Sequence, residues 1–318
     1  MSAAQAQQTS TPVALKVVTQ PFLSFAPFYI AQEEGFFEEQ ELRVEFVKMT
    51  EESAIPALLR GDIHVWGGPL HTNFLNAMNR GAKIKIVSEK GHFSSTGCVA
   101  GALIARKALV ESGEMHNLFQ LKGRRIDARR SSWQEYFLDK LLNEAGLTPD
   151  DVQVVDVTPP GALGAMKKGE IDLAIAAEPW ITRLVKAGNG VLWLPVRRVI
   201  PELEHAFILY GANLLEQNPE VGKRFMTAYL KGVRQAGQGK TLRNLVIISK
   251  HTRLDPEFLQ DVCWRKWRND GRVDTKGLLE FQDWAIGKGL LDRKIPVKQF
   301  WDPRYTEHAN KVLGAPPK

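Results

Sequence analysis

The sequence has little cysteine, since only Cys98 and Cys263 occur among 318 residues. Neither cysteine has a Cys or His neighbour two to five residues away, which excludes the common zinc-binding spacings. Two cysteines allow at most one disulfide. Because unpaired cysteine is among the most deeply buried residue types, we expect two buried free thiols, with a single disulfide as the alternative.

Long hydrophobic runs are also missing. No window of about 18 consecutive apolar residues occurs, so we expect no membrane-spanning helix. Residues 1–12 contain neither the charged nor the apolar region of an intact export signal. Ala4-Gln5-Ala6 is similar to the small-x-small end of such a signal. We therefore expect a polar leader that remains after export, and a periplasmic or extracytoplasmic location.

Motifs of the common catalytic classes do not occur. The sequence contains no Gly-x-Ser-x-Gly, no P-loop, no Gly-x-Gly-x-x-Gly after the first strand and no His-Glu-x-x-His. The net charge of +6 is scattered, without a basic stripe or a nucleic-acid reading module. We expect no catalytic residue, no metal, no cofactor and no nucleic-acid partner. The positive charge could help to attract anionic solutes, and its ordinary explanation is a solvated surface.

A strand, a loop and a helix can be recognised near the N-terminus. Residues 13–19 form a β-branched apolar run, and Pro21 ends it because proline has a fixed φ and no N–H. Residues 28–34 follow as a helical window that Gly35 closes. In open α/β sheets, ligands collect where helix N-termini meet the carboxyl ends of strands. The alternative for residues in such a loop is a helix cap or core packing. The candidate ligand contacts in this loop are Gln20, Ser24 and Phe25.

The alternation of strands and helices continues and then repeats. Residues 57–65 and 165–173 each combine a helix end, a glycine turn, an acidic residue, an isoleucine and a strand. Such alternation predicts mostly parallel sheets that are covered on both faces. Residues 66–69 read as a loop at the end of one of these strands.

Long helices dominate the sequence after Pro201. One strand-like run, 205–211, precedes helical patterns at 219–237, 242–250, 255–267, 276–288 and 302–313. We expect two lobes, with chain crossovers near 91–106 and 195–212. The predicted lobes are 13–97 with 205–318, which carries a helical tail, and 98–204.

These patterns together carry a family resemblance that covers about residues 13–215. It rests on Ala26-Pro-Phe-Tyr-Ile-Ala-Gln-Glu-Glu-Gly-Phe-Phe37, Ala57-Leu-Leu-Arg-Gly-Asp-Ile-His64, Ala165-Met-Lys-Lys-Gly-Glu-Ile-Asp172 and Glu178-Pro-Trp180. The chain resembles the solute-binding proteins of nitrate, sulfonate and taurine type ABC importers. That superfamily includes binders of thiamine-pyrimidine precursors and riboflavin. The resemblance implies the α/β, type II periplasmic-binding-protein fold: two lobes, a hinge and a cleft that closes on a small molecule. It also implies a monomer that delivers its ligand to a membrane permease.

The resemblance places ligand contacts after strands, at the crossovers and at helix N-termini of the second lobe. Beyond the first loop, the residues at these positions are Trp66, Gly67, Gly68, Pro69, Gly91, His92, Arg129, Ser131, Ser132, Trp133, Glu178 and Trp180.

These residues favour two kinds of ligand. Ser131 and Ser132 at a helix start, with Arg129 beside them, would form an anion cradle, although a serine there can be a helix cap only. Tryptophans at three cleft edges, with Glu178, would instead favour an aromatic ring, although packing and a hinge role are their ordinary uses. We expect a small organic anion of the sulfonate, nitrate or carboxylate type.

Two alternatives remain open. One is a binder of a pyrimidine, a thiamine precursor or a flavin-like aromatic ligand. The other is a small-molecule lyase or dehydratase on the same fold, in which His71 or His92 acts with Glu178 as acid and base.

Overall fold

The computed structural model describes residues 11–157 and 159–315. Ala4-Gln5-Ala6, the expected end of an export leader, lies outside the described residues. The strands are β1 (Val13–Val18), β2 (Leu42–Val47), β3 (Val65–Pro69), β4 (Lys85–Glu89), β5 (His92–Phe93), β6 (Gly101–Arg106), β7 (Arg125–Asp127), β8 (Gln153–Val155), β9 (Leu173–Ala177), β10 (Gly190–Pro195), β11 (Leu203–Glu204) and β12 (Ala206–Tyr210).

The α-helices connect and cover these strands. They are α1 (Ala26–Glu33), α2 (Glu51–Arg60), α3 (Thr72–Asn79), α4 (Lys107–Glu111), α5 (Trp133–Glu144), α6 (Pro159–Lys168), α7 (Trp180–Lys186), α8 (Pro219–Ala236), α9 (Leu242–Thr252), α10 (Pro256–Asp261), α11 (Thr275–Gly287), α12 (Val297–Phe300) and α13 (Arg304–Leu313).

Two five-stranded sheets form the framework. The first has the order β2-β1-β3-β12-β4, in which β2, β1 and β3 are parallel and β12 runs antiparallel to both neighbours. The second has the order β10-β6-β9-β7-β8, in which β9, β7 and β8 are parallel and β6 is antiparallel to β9 and β10. The predicted α/β arrangement is therefore confirmed. The exact lobe boundaries stay a prediction.

The chain passes between the sheets through two short strands. β5 lies on the way out of the first sheet and β11 on the way back, and they pair with each other in antiparallel register. β12 follows β11 directly and completes the first sheet. This paired crossover places a small ladder of hydrogen bonds where a hinge between the sheets would lie.

The helical tail covers the first sheet and also reaches the second. α8 packs closely on α1, since a Cβ on Gly232 would lie 2.2 Å from the carbonyl oxygen of Pro27. α11 instead contacts α5, where the Trp284 indole donates to Asp139 over 2.8 Å and the Lys288 ammonium lies 2.9 Å from the same carboxylate. The tail therefore contacts elements of both sheets, and its assignment to the first lobe stays a prediction.

Two predicted element boundaries are wrong. Residues 66–69 belong to β3 instead of forming a loop, because they pair with β12 and their small glycines fit between neighbouring rings. The helix predicted for 255–267 ends at Asp261. Residues 262–268 continue as an extended segment, because the backbone of Lys266 pairs with His92 of the crossover.

The expectation of two free thiols is wrong as well. Cys98, in the first crossover, and Cys263, in the extended segment, form a disulfide with their Cα atoms 5.7 Å apart. The cysteines are 165 residues apart in sequence, so no local spacing could indicate the pairing. The bond ties the tail to the start of the second sheet.

Reduction of this disulfide should lower thermal stability. A cross-link between distant residues restricts the unfolded chain and typically contributes about 2–4 kcal/mol, so we expect the Tm to fall by about 5–10 °C in dithiothreitol. The double variant Cys98→Ser/Cys263→Ser should already have the lower Tm and should not respond to reductant. A wild-type Tm that ignores reductant, together with two titratable thiols in the untreated protein, would contradict the bond.

Candidate functional site

A cavity of about 720 Å³ lies between the two sheets. Its walls come from residues that follow the carboxyl ends of parallel strands: β1 and β2 on one side, and β7, β8 and β9 on the other. Residues of β3, β12, α5, α6 and α7, the residue after β4 and the extended segment after α10 complete the lining. The cavity therefore occupies the edge at which α/β sheets bind ligands.

Most of the residues predicted for the site line this cavity. They come from both sheets, and their role in ligand binding stays a prediction. The predicted residues in the lining are Gln20, Ser24, Phe25, Gly67, Pro69, Arg129, Ser132, Trp133, Glu178 and Trp180.

Trp66, Gly68, Gly91, His92 and Ser131 do not belong to this lining. Side chains alternate along β3, so Trp66 points away from the cavity, is buried in the core and fills the space beside Gly68. His92 is buried in the crossover strand β5, and the N–H of Ser131 donates to the carboxylate of Glu135. These five residues therefore lie outside the cavity lining.

The wall from the first sheet holds a buried lysine that the sequence analysis missed. Lys90 directly follows β4 and is 3% exposed. Its ammonium donates to the Ser24 hydroxyl over 3.1 Å and lies 3.5 Å from the centre of the Phe25 ring. Ser24 and Phe25 thus lie together at the cavity wall, and their contact with a ligand stays a prediction. The rule that identified Gln20, a position just after a strand, also applies to Lys90.

Arg265 is the second residue that the sequence analysis missed. It is 5% exposed and reaches the cavity from the extended segment. One end of its guanidinium contacts Nε2 of His205, and another nitrogen donates to the carbonyl of Glu178 over 3.4 Å. Gly91 permits this approach, because a Cβ there would lie 2.6 Å from Cδ of Arg265. The sequence predicted a helix over residues 255–267, and the observed contacts of Arg265 depend on the extended conformation of this segment.

Burial changes the proton affinity of both cations. Desolvation first, and the charge of Arg265 second, hold the pKa of Lys90 well below its ordinary value. Desolvation likewise lowers the pKa of Arg265 to about 10, against the attraction of two nearby glutamates. Arg265 therefore stays charged at neutral pH.

The wall from the second sheet contains Ser132 and Arg129, the predicted anion cradle. The Ser132 hydroxyl accepts from the N–H of Gln134 over 3.1 Å and donates to the carbonyl of Arg129 over 2.8 Å, so it caps α5. The Arg129 guanidinium lies 2.7 Å from both Glu51 and Glu52 at the start of α2. Both side chains have protein partners, and the ion pairs span the cleft.

Glu178 lies at the back of the cavity and is 2% exposed. Its carboxylate accepts from the N–H of Thr182 at 3.1 Å, the hydroxyl of Thr182 at 2.8 Å and the N–H of Cys263 at 3.1 Å. Desolvation raises its pKa, and these three hydrogen bonds oppose the increase. Glu178 therefore positions the extended segment and has little capacity left for a ligand amine.

Aromatic side chains also line the cavity. Trp133 is buried and packs edge-on against Phe93 with ring centres 5.2 Å apart. Trp180 is half-buried, with the Arg183 guanidinium 4.6 Å from its ring centre. The indole N–H of Trp180 is buried and has no hydrogen-bond partner within the described residues. The cavity can hold a flat apolar group and offers a free donor.

Asp127 is a buried carboxylate in the same wall, at the end of β7. It accepts from the N–H of Val157 over 3.0 Å and is 6% exposed. Desolvation, with a smaller contribution from the nearby charge of Asp156, raises its pKa to about 7.

This raised pKa predicts a pH dependence of stability. The folded state holds the proton more tightly than the unfolded state, so the contribution of Asp127 is fully present below its ordinary value of 3.8 and is lost as the pH rises through about 7. Asp127→Asn keeps the acceptor oxygen without the charge. We expect its Tm to exceed that of wild type increasingly between pH 5 and pH 8.

Asp150→Asn, at an exposed carboxylate, is the matched control and should follow wild type across this range. A constant difference in Tm between Asp127→Asn and wild type would show that Asp127 titrates normally.

Two further classes of feature are missing from the described residues. No group of three or more His, Cys, Asp or Glu side chains within residues 11–157 and 159–315 could hold a metal ion. Among the helices of the same ranges, none combines the length and the apolar character that a bilayer crossing requires.

Comparison with known proteins identifies related chains. The model of the family described as "NMT1/THI5 like" matches residues 23–238, which is more than half of the chain. A Haemophilus influenzae protein whose name places it in thiamine biosynthesis is 19% identical over 290 residues, which cover 86% of each chain.

Solved structures with the same architecture include binding proteins and an enzyme. The nitrate-binding protein NrtA from Synechocystis is 15% identical, with a TM-score of 0.80 over 95% of this chain and 89% of that one. The aliphatic sulphonate binding protein SsuA from Escherichia coli is 16% identical, with a TM-score of 0.74 over 92% and 93% of the two chains. The desulfurization enzyme DSZB is 12% identical, with a TM-score of 0.68 over 95% and 100%. These similarities confirm the fold of periplasmic binding proteins.

Proposed function

The chain belongs to the NMT1/THI5-like family, and from that premise we propose that it is the extracytoplasmic solute-binding component of an ABC importer. It captures a small organic anion and delivers it to a membrane permease, acting as a monomer without catalysis. The observation that carries this proposal is the cavity of about 720 Å³ whose walls come from both sheets. A ligand bound there contacts both sides of the cleft at once.

Closure of the cleft follows from this geometry. The antiparallel pair β5 and β11 lies between the sheets and can act as the hinge. A ligand that touches both walls binds the closed state more tightly than the open one, so it shifts the equilibrium towards closure. Arg129 with Glu51 and Glu52 adds partly exposed ion pairs across the same gap, which are worth about 0–1 kcal/mol each.

The size of the cavity restricts the anion. Ligand pockets for organic molecules span about 300–1,000 Å³, and this cavity lies within that range. A nitrate ion would leave most of it empty. An aromatic sulfonate or carboxylate would place its ring against Phe25, Trp133 and Trp180 and its charge near the buried cations.

A pyrimidine, a thiamine precursor or a flavin-like ligand is the second candidate. The free indole donor of Trp180 and the protonated form of Asp127 favour it, since both could pair with a heterocycle. The relative named for thiamine biosynthesis points in the same direction. No comparable observation favours a lyase or dehydratase. His71 caps α3 and His92 lies in the crossover, and neither lines the cavity.

Thermal unfolding with a ligand panel tests the proposal. A ligand that binds only the folded state stabilises it by RT ln(1 + [L]/Kd), about 2.7 kcal/mol at one hundred times Kd. We expect benzenesulfonate or benzoate to raise the Tm by several degrees and sodium nitrate to leave it unchanged. A shift with pyrimidines or riboflavin alone would favour the second candidate, and no shift with any compound would contradict both.

A further inference from the structure

We propose that Lys90 and Arg265 together form the subsite that binds the anionic group of the ligand. This inference rests on the proposed capture of an organic anion and specifies where its charge lies. The anionic group would then bind on the opposite wall from the cradle that the sequence predicts at Arg129, Ser131 and Ser132. The two walls differ in whether their charged groups already have partners in the protein.

Lys90 is a buried lysine with unused hydrogen-bonding capacity. An ammonium has three donors, and one of them is used by the Ser24 hydroxyl. The Phe25 ring covers a second side through a cation–π contact. Within the described residues, no carboxylate lies close enough to Lys90 to form an ion pair. Buried charges are normally paired, so the charged form of Lys90 lacks an ion-pair partner that a bound anion would supply.

Arg265, on another element of the fold, also forms no ion pair within the described residues, although Glu178 and Glu89 attract its charge. Its Nε is buried and has no hydrogen-bond partner within the described residues. Its other contacts are a carbonyl oxygen and the ring of His205, which carry no negative charge. Burial and the neighbouring cations hold the pKa of His205 well below its ordinary value, so the ring is neutral.

The nearby carboxylates are engaged elsewhere. Glu178 accepts three hydrogen bonds from Thr182 and Cys263. Glu51 pairs with Arg129 across the cleft. Glu89 accepts from the backbone N–H groups of Gly91 and Arg268. Each acid near the two cations thus has its own partner.

An anionic ligand supplies the charge that the protein lacks at this point. Lys90 and Arg265 line the same cavity, and each raises the cost of keeping the other charged. A sulfonate or carboxylate between them offers several oxygens to donors that are already desolvated. The aromatic walls then receive the ring. The charge–charge part of the binding energy at this subsite is available only to ligands with a negative group.

The test compares benzenesulfonate with its neutral analogue benzenesulfonamide by calorimetry. We expect wild type to prefer the sulfonate and Lys90→Met to bind it roughly 30-fold or more weakly, because removal of one partner of a buried charge pair has effects of this size. Lys90→Met should also lose most of the discrimination between the two compounds. Arg265→Lys keeps the positive charge and should retain part of the discrimination between the two compounds.

Ligand-free stability separates this role from a structural one. Removal of an uncompensated buried cation should leave the Tm of ligand-free Lys90→Met unchanged or higher, whereas loss of a structural contact would lower it. Lys298→Met, at an exposed lysine far from the cavity, makes the same charge change and should bind as wild type does.

The outcomes distinguish the two proposals. The subsite is contradicted if Lys90→Met binds the sulfonate as wild type does, or if Arg129→Gln weakens sulfonate binding more than Lys90→Met does. Either result leaves the proposed function standing. A wild-type protein that binds neither benzenesulfonate nor benzoate overturns the proposed function and the subsite with it. A lower ligand-free Tm for Lys90→Met with unchanged discrimination would make Lys90 a structural residue.

Discussion

The carboxylate of Glu178 and the backbone N–H of Cys263 share a buried hydrogen bond of 3.1 Å that joins the second sheet to the C-terminal tail. The disulfide from Cys263 to Cys98 and the pairing of Lys266 with His92 hold the same segment to the first crossover. Together these contacts keep residues 262–268 extended at the hinge. Arg265 can reach the cavity only because this segment is not helical.

The charges of the cavity follow a simple logic. Glu178 and Glu89 accept hydrogen bonds from backbone and hydroxyl donors, and Glu51 and Glu52 at the cleft edge pair with Arg129. Lys90 and Arg265, which also line the cavity, form no ion pair in the part of the chain that the structure describes. Unpaired buried groups of this kind lower the stability of the ligand-free protein. Local losses of stability are typical of functional sites, and a bound ligand can compensate for them.

Much of the framework could be predicted from the sequence. The β-branched run before Pro21 and the glycine turns after residues 60 and 168 are local signals, and they correctly indicated strands and helices of an α/β fold. Ser24 and Phe25 were found because they follow a strand. The same rule would have identified Lys90, which directly follows β4.

The other features depend on contacts between residues far apart in sequence. Residues 262–267 match a helical pattern locally, and only their partners at Glu178, Cys98 and His92 make them extended. The glycines of β3 read as a loop because glycine is rare inside strands, yet they are needed beside Trp66 and Lys90. Partners of this kind cannot be read from spacing, so Arg265 could not be predicted.

A crystal structure of the protein with benzenesulfonate would show where the anionic group binds. We expect a ring between the aromatic walls of the two sheets and sulfonate oxygens within hydrogen-bond distance of the Lys90 ammonium and the Arg265 guanidinium. A sulfonate bound at Arg129 and Ser132, or a ligand outside the cavity between the sheets, would contradict it.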